Sequence, residues 1–306
     1  MCCLFGVIDY RHSLTQKQMN RILTVLGSIC EERGTDSTGI AYNDNGHLRI
    51  YKRPRAAHKL HFNVPEHTHV VMGHTRMTTQ GSEKKNYNNH PFPGHVKTGD
   101  FALAHNGVLY NDEILREALH LPRTKIETDS YIAVQLIEHK NTLDFNSLKY
   151  MAEELMGSFT FTVMDGQDNV YFIRGDNPMA LYHLPRLGMY LYASTDAIMR
   201  KALEKLFLSG EGAVLIDLRC GDLLKIDRAG VMTRGRFDSS SLWNYPVYSP
   251  AYSCSYAYDT YGQDSYVDDL KAVARCFGFE PDSVDRLLRL GFAPEEIEEQ
   301  LYAGEL

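Results

Sequence analysis

The sequence predicts an α+β fold with many antiparallel strands and few helices. Three observations carry that reading. Segment 14–32 repeats apolar residues at helical spacing. Turn signals of the Asn-Gly and Asp-Gly kind stand between alternating stretches. From 158 to 234 hairpin follows hairpin, with one helical segment among them.

Taken in order, CLFGVIDY (3–10) reads as a short strand. LTQKQMNRILTVLGSICEE (14–32) places Met19, Ile22, Leu23, Leu26 and Ile29 on one helical face, with Thr15 as its cap. TGIAYNDNGHLRIYKR (38–53) is two strands around an Asn-Asp-Asn-Gly turn. VVMGHTRM (70–77) and FALAHNGVLY (101–110) are buried strands running into polar ends. Helices are expected over 111–120, 128–140 and 146–155. Hairpins then occupy 158–175, with Asp165-Gly166 in the turn, 180–194 and 212–234, and helix 194–207 stands between them.

The chain divides into three stretches: a main domain over 2–236, a Ser/Tyr-rich linker or strap over 237–264, and a small three-helix module over 265–306. In the last stretch Pro281 and Pro294 sit at helix starts, and Gly278 and Gly291 at helix ends. Its LRLGF stretch, followed by a helix, is similar to ubiquitin-associated-type modules.

The 306 residues are 43% hydrophobic and carry a net charge of −7, which leaves no basic face for nucleic acid. No apolar run approaches the roughly 20 residues of a membrane span, and no secretory signal is visible. The six cysteines (2, 3, 30, 220, 254 and 276) show no CxxC spacing. Neither a zinc site nor a disulfide framework is expected, and a reducing cytoplasm is the simplest compartment. A small-ligand or catalytic role fits best.

Four stretches look unlike packing, and each has a bland alternative. Cys2, exposed by removal of Met1, would carry an α-amine with a pKa near 7.7–8.0 that can activate its own thiol. Equally, MCCLFGV offers two small thiols for burial. ERGTDSTGIAY (32–42) holds Arg33 and Asp36 in a tight turn, or merely ends a helix with a salt bridge. GHTRMTTQG (73–81) offers Arg76, whose guanidinium suits a carboxylate, or a surface arginine at a strand end. AHNG (104–107) pairs an Asn side chain with a Gly N–H, as an oxyanion hole needs, or forms a plain turn. ETDSY (127–131) adds Asp129, able to hold an ammonium group or to cap a helix.

Their order is more telling than any one of them. A penultimate Cys, R-G-x-D-S-x-G, G-H-T-R-x-x-T-x-G, N-x-H-P-F, H-N-G and E-T-D together resemble the class II glutamine amidotransferase domain over roughly residues 2–230. The resemblance implies an N-terminal-nucleophile hydrolase fold, a four-layer αββα sandwich of two antiparallel sheets between helices. It implies Cys2 as nucleophile, its α-amine as base, and Asn106 and Gly107 as oxyanion hole. Arg76, helped by Thr79, would grip the α-carboxylate of glutamine and Asp129 its α-ammonium. Arg33, Asp36 and His105 would support the site. No metal and no cofactor are implied.

The implied reaction releases ammonia and leaves a γ-glutamyl thioester for water to hydrolyse. Met77, Gln80 and Ser130-Tyr131 depart from the family pattern, and Cys3 stands where glycine is usual. The stretch after 237 is too short for a sugar isomerase or phosphoribosyltransferase half. The expected partners are therefore L-glutamine and a separate synthase or acceptor subunit; self-association stays open, and nucleic acid and membranes are excluded. A stand-alone amidase and a non-catalytic glutamine-binding module are the alternatives.

Overall fold

β1 (Cys3–Asp9) is buried along its whole length at the middle of a seven-stranded sheet. In the computed structural model, which describes residues 2–243, 267, 270, 271, 274, 279–292 and 294–303, β1 lies between β4 (Val70–Arg76) and β10 (Met189–Ala193). Beyond β4 come β2 (Ser37–Asp44) and β3 (His47–Arg53). Beyond β10 come β9 (Ala180–Leu184) and β11 (Val214–Ile216). A second sheet of six strands runs β13 (Met232–Arg236), β12 (Asp222–Ile226), β8 (Val170–Arg174), β7 (Gly157–Asp165), β6 (Gly99–Leu109), β5 (Phe92–Val96). Every strand pairing is antiparallel.

Strand alternation sorts β1 into two faces. Cys3, Phe5 and Val7 meet α1 (Gln16–Cys30) and α5 (Asp196–Lys205) in one core. Leu4 and Ile8 meet Ala102, Ala104 and Phe172 of the second sheet in another. The outer face of that second sheet is covered by α3 (Tyr131–Lys140) and α4 (Phe145–Glu154). The main unit is therefore layered helix, sheet, sheet, helix. Cys3 faces the helical side, as expected for a thiol with only a packing role.

Local chemistry explains the elements. Thr15 and Gln18 form a reciprocal capping box at the start of α1. Thr195 caps α5 through the N–H of Ile198. The β2–β3 turn takes φ of 51° at Asn45 and 78° at Gly46. α2 (Asp112–Ala118) follows β6. β5 was not expected: NYNNHPF reads as polar, yet Phe92 and Val96 alternate inward and pair with β6.

Two compact units are present, Met1–Pro246 and Val247–Leu306. The first residues of the expected strap belong to the first unit, because Phe237 and Leu242 are buried there and Phe237 stacks 5.9 Å from Phe159. Residues 244–264 lie outside the described residues. In the second unit Val267, Leu270, Lys271 and Ala274 are helical, followed by α6 (Asp282–Arg289) and α7 (Pro294–Ala303). Val267, Leu270, Ala274, Val284, Ile297 and Leu301 form its core, and Lys271 pairs with Asp285 at 2.7 Å. Among the described residues no helix is long and apolar enough to cross a membrane. Among them too, no cluster of His, Cys, Asp or Glu is placed to hold a metal ion.

Candidate active site

A narrow cleft opens where β1 begins and β4 and β6 run out. Cys2, Arg76, Thr79, His105, Gly107 and Asp129, six residues expected from sequence, line it. Register brings them there. Cys3 pairs with Thr75, so Cys2 meets the end of β4, where Arg76 leads into the 77–91 loop. The half-buried Cys2 thiol lies against the Met77 backbone, 3.4 Å from both its N–H and its carbonyl. Burial pushes this thiol above its ordinary pKa; the Met77 N–H and the charges of Arg76 and Arg33 pull the other way. A resting Cys2 is thus a neutral thiol that needs a base.

Arg33 and Asp36 brace this corner without lining the cleft. Arg33 Nε donates to the Cys2 carbonyl at 3.0 Å. Asp36 accepts from the Thr78 N–H at 2.7 Å, and its own N–H donates to the Arg76 carbonyl at 2.9 Å. Together they fix both chain segments that meet at the thiol.

Arg76 is buried, not a surface arginine at a strand end. Its Nη1 donates to Asn89 Oδ1 at 2.7 Å, and its Nη2 to the carbonyls of Gln80 and Gly81. Burial lowers its pKa, while the charges of Asp36 and Asp129 oppose the change. Asp129 does not cap α3. Its Oδ2 accepts from Leu109 N–H at 2.7 Å, and its Oδ1 from Ser130 N–H at 2.8 Å. The carboxylate is thereby latched to the end of β6. A cation and an anion lining one cleft suit the two charged groups of an amino acid.

Gly107 sits at φ 135°, and a Cβ there would lie 1.8 Å from the Ser158 carbonyl, so only glycine fits. Asn106 is buried just behind the cleft rather than lining it. Its Nδ2 lies 2.5 Å from Ser194 Oγ, and its Oδ1 has no partner. Ser194 also accepts from the Leu4 N–H at 2.8 Å. One hydroxyl therefore joins β1 to Asn106 across the two sheets.

Several residues here escaped the sequence reading. Gln80, noted only as a departure, accepts from the Asp129 N–H at 2.9 Å. His90 and Ser130 line the cleft, and Ser130 Oγ pairs with His105 Nδ1 at 2.8 Å. His74, His90 and His105 are all buried. Burial drives His74 down to about 3 and His105 to about 4, and holds His90 well below its ordinary value, so all three are neutral. The N-x-H-P-F and A-S-T strings were the available signals for His90 and Ser194.

Comparison with known proteins matches this architecture. Residues 74–201, which carry Arg76, Asn106, Gly107 and Asp129, fit the family model described as glutamine amidotransferase domain. Over those residues the chain is similar to a glutamine amidotransferase domain. Glutamine–fructose-6-phosphate aminotransferase of Sulfurisphaera tokodaii is 32% identical over 191 residues, 59% of this chain and 31% of that one. The Chlamydia muridarum protein of the same name is 30% identical over 226 residues, covering 70% and 36%. The amidotransferase domain thus lies in a chain spanning about a third of the length of these relatives.

Glutamine phosphoribosylpyrophosphate amidotransferase from B. subtilis aligns with a TM-score of 0.62 at 21% identity, over 78% of this chain and 50% of that one. A structure described as the allosteric regulatory enzyme of purine biosynthesis aligns at 0.61 and 21%, over 78% and 49%. The main unit shares their fold, two antiparallel sheets between helical layers, which is the sandwich expected from the resemblance.

Proposed function

We propose that the domain hydrolyses the side-chain amide of L-glutamine to glutamate and ammonia, with Cys2 as nucleophile. The supporting observation is one cleft that gathers the Cys2 thiol, the Arg76 cation, the Asp129 anion and the Gly107 backbone. Removal of Met1 gives Cys2 a free α-amine. That amine takes the thiol proton, which the raised thiol pKa otherwise retains. The thiolate attacks the amide carbon, and the oxyanion is held by Gly107 N–H and Asn106 Nδ2. A half-turn of the Asn106 amide lets Ser194 donate to Oδ1 and frees Nδ2 for this role. The ammonium proton then passes to the leaving nitrogen, ammonia departs, and a γ-glutamyl thioester remains. Water, deprotonated by the same amine, releases glutamate.

Arg76 takes the α-carboxylate in place of the Gln80 and Gly81 carbonyls that it now holds, and Asp129 takes the α-ammonium. Thr79 adds a hydroxyl at the rim; His105, kept neutral, fixes the end of β6 through Ser130. The released nitrogen passes to an acceptor on a separate protein. Nitrogen transfer to an acceptor draws support from relatives named as aminotransferases of fructose 6-phosphate. Free thiols at Cys2, Cys3, Cys30 and Cys220 fit a reducing compartment such as the cytoplasm.

The test is glutamate and ammonia production from L-glutamine by the purified protein. Equal amounts of both are expected, and Cys2→Ala abolishes them. A wild-type protein without turnover, or an active Cys2→Ala, overturns the reading.

A further inference from the structure

One half-buried cation near the cleft has no part in this chemistry. Lys52 lies on β3, and its side chain is mostly shielded from water. Its ammonium donates to the Asn89 carbonyl at 2.5 Å and to the Pro91 carbonyl at 3.0 Å. It also stands 5.1 Å from the centre of the Phe92 ring. Among the described residues no carboxylate is paired with it.

Partial desolvation of an ammonium without a carboxylate partner is costly. Here its contacts fall on the same turn that holds Arg76. Asn89 gives its carbonyl to Lys52 and its side-chain oxygen to Arg76 Nη1, at 2.7 Å. Asn86 closes the loop, donating to the Lys52 carbonyl at 3.0 Å. Gly39, opposite Lys52 in the β2–β3 register, makes room: a Cβ there would lie 2.1 Å from the His90 carbonyl.

We propose that Lys52 is a positioning residue for Arg76, pinning the 89–91 turn so that the guanidinium presents a carboxylate-binding face to the cleft. The role rests on the reading of Arg76 as the clamp for the substrate α-carboxylate. Lys52 touches no reacting atom, so its loss acts on substrate affinity rather than on the chemical step. Burial and the charge of Arg76 lower the Lys52 pKa to about 8. The charged or titratable groups facing it are Arg76 from β4 and the neutral His90 from the turn. Affinity for glutamine should therefore weaken as the pH rises through 8 and the ammonium loses its proton.

The experiment measures glutamine turnover by the full chain. Lys52→Met is expected to raise KM about tenfold, as for loss of a buried hydrogen-bond partner, with kcat within threefold. A KM within twofold of wild type overturns the proposal, and so does a fall in kcat without a rise in KM. If Lys52→Met does not fold, Lys52→Arg decides, because arginine stays charged. It should remove the rise of KM between pH 7 and 9; a retained rise overturns the proposal. Arg76→Ala separates the two readings. An unchanged KM there removes the clamp itself, whereas a raised KM beside a normal Lys52→Met removes only the role of Lys52. Alkylation of Cys2 by iodoacetamide, which needs no clamp, should be equal in wild type and Lys52→Met.

Discussion

The two walls of the cleft are built differently. On the oxyanion side, Asn106 and Gly107 belong to β6, paired residue by residue with β7, and one hydroxyl, Ser194, ties them to β1. On the carboxylate side, Arg76 leaves the end of β4 and is held by the 77–91 loop through Gln80, Gly81 and Asn89, with Lys52 behind. In the proposed reaction the ladder wall fixes groups where charge develops. In the same proposal the loop wall fixes a group that binds substrate before and after the reaction. Substitutions on the first should therefore appear in kcat, and on the second in KM.

The largest expected effect is on the ladder wall. Asn106→Ala removes an oxyanion donor and should lower kcat about 10²–10³-fold while KM stays within a few-fold. Full activity in that variant would break the comparison. Ser194→Ala leaves Asn106 unguided and should lower kcat about tenfold, again with KM unchanged. A change in KM alone would place Ser194 on the wrong wall.

The histidines give a smaller effect, on stability rather than rate. His74, His90 and His105 fold neutral, with pKa values below the ordinary 6.5. Between those values and 6.5 the unfolded chain binds more protons than the folded one. Their contribution is thus complete above about pH 6.5 and lost as pH falls toward the folded values. At pH 5 His74 and His105 each cost about 2 kcal/mol, and His90 acts in the same direction, readable in urea melts against pH 7.5. A flat profile would mean that these rings carry charge or reach water in the folded state.

The sequence exposed the ladder wall better than the loop wall, for a physical reason. Strand alternation and turn residues mark β1, β4 and β6, and the polar strings at their ends mark Cys2, Arg76 and Asn106-Gly107. Such signals are local. Lys52 and Gln80 act through contacts with Asn89 and Asp129, 37 and 49 residues away, and nothing local announces them. Ser194 lies 88 residues from Asn106. β5 was hidden because its neighbourhood, NYNNHP, reads as loop, while its pairing with β6 is a tertiary fact. Asp129 as helix cap and Arg76 as surface residue were reasonable readings of single islands; burial and the Leu109 and Asn89 contacts decide against both.

The central claim is that Cys2 attacks a substrate held by both walls. Incubating the purified protein with a glutamine-analogue electrophile and taking the intact mass tests it directly. The account predicts one adduct per chain, on a protein that starts at Cys2, with labelling suppressed by excess L-glutamine. A chain that still carries Met1 and takes up no label would contradict it.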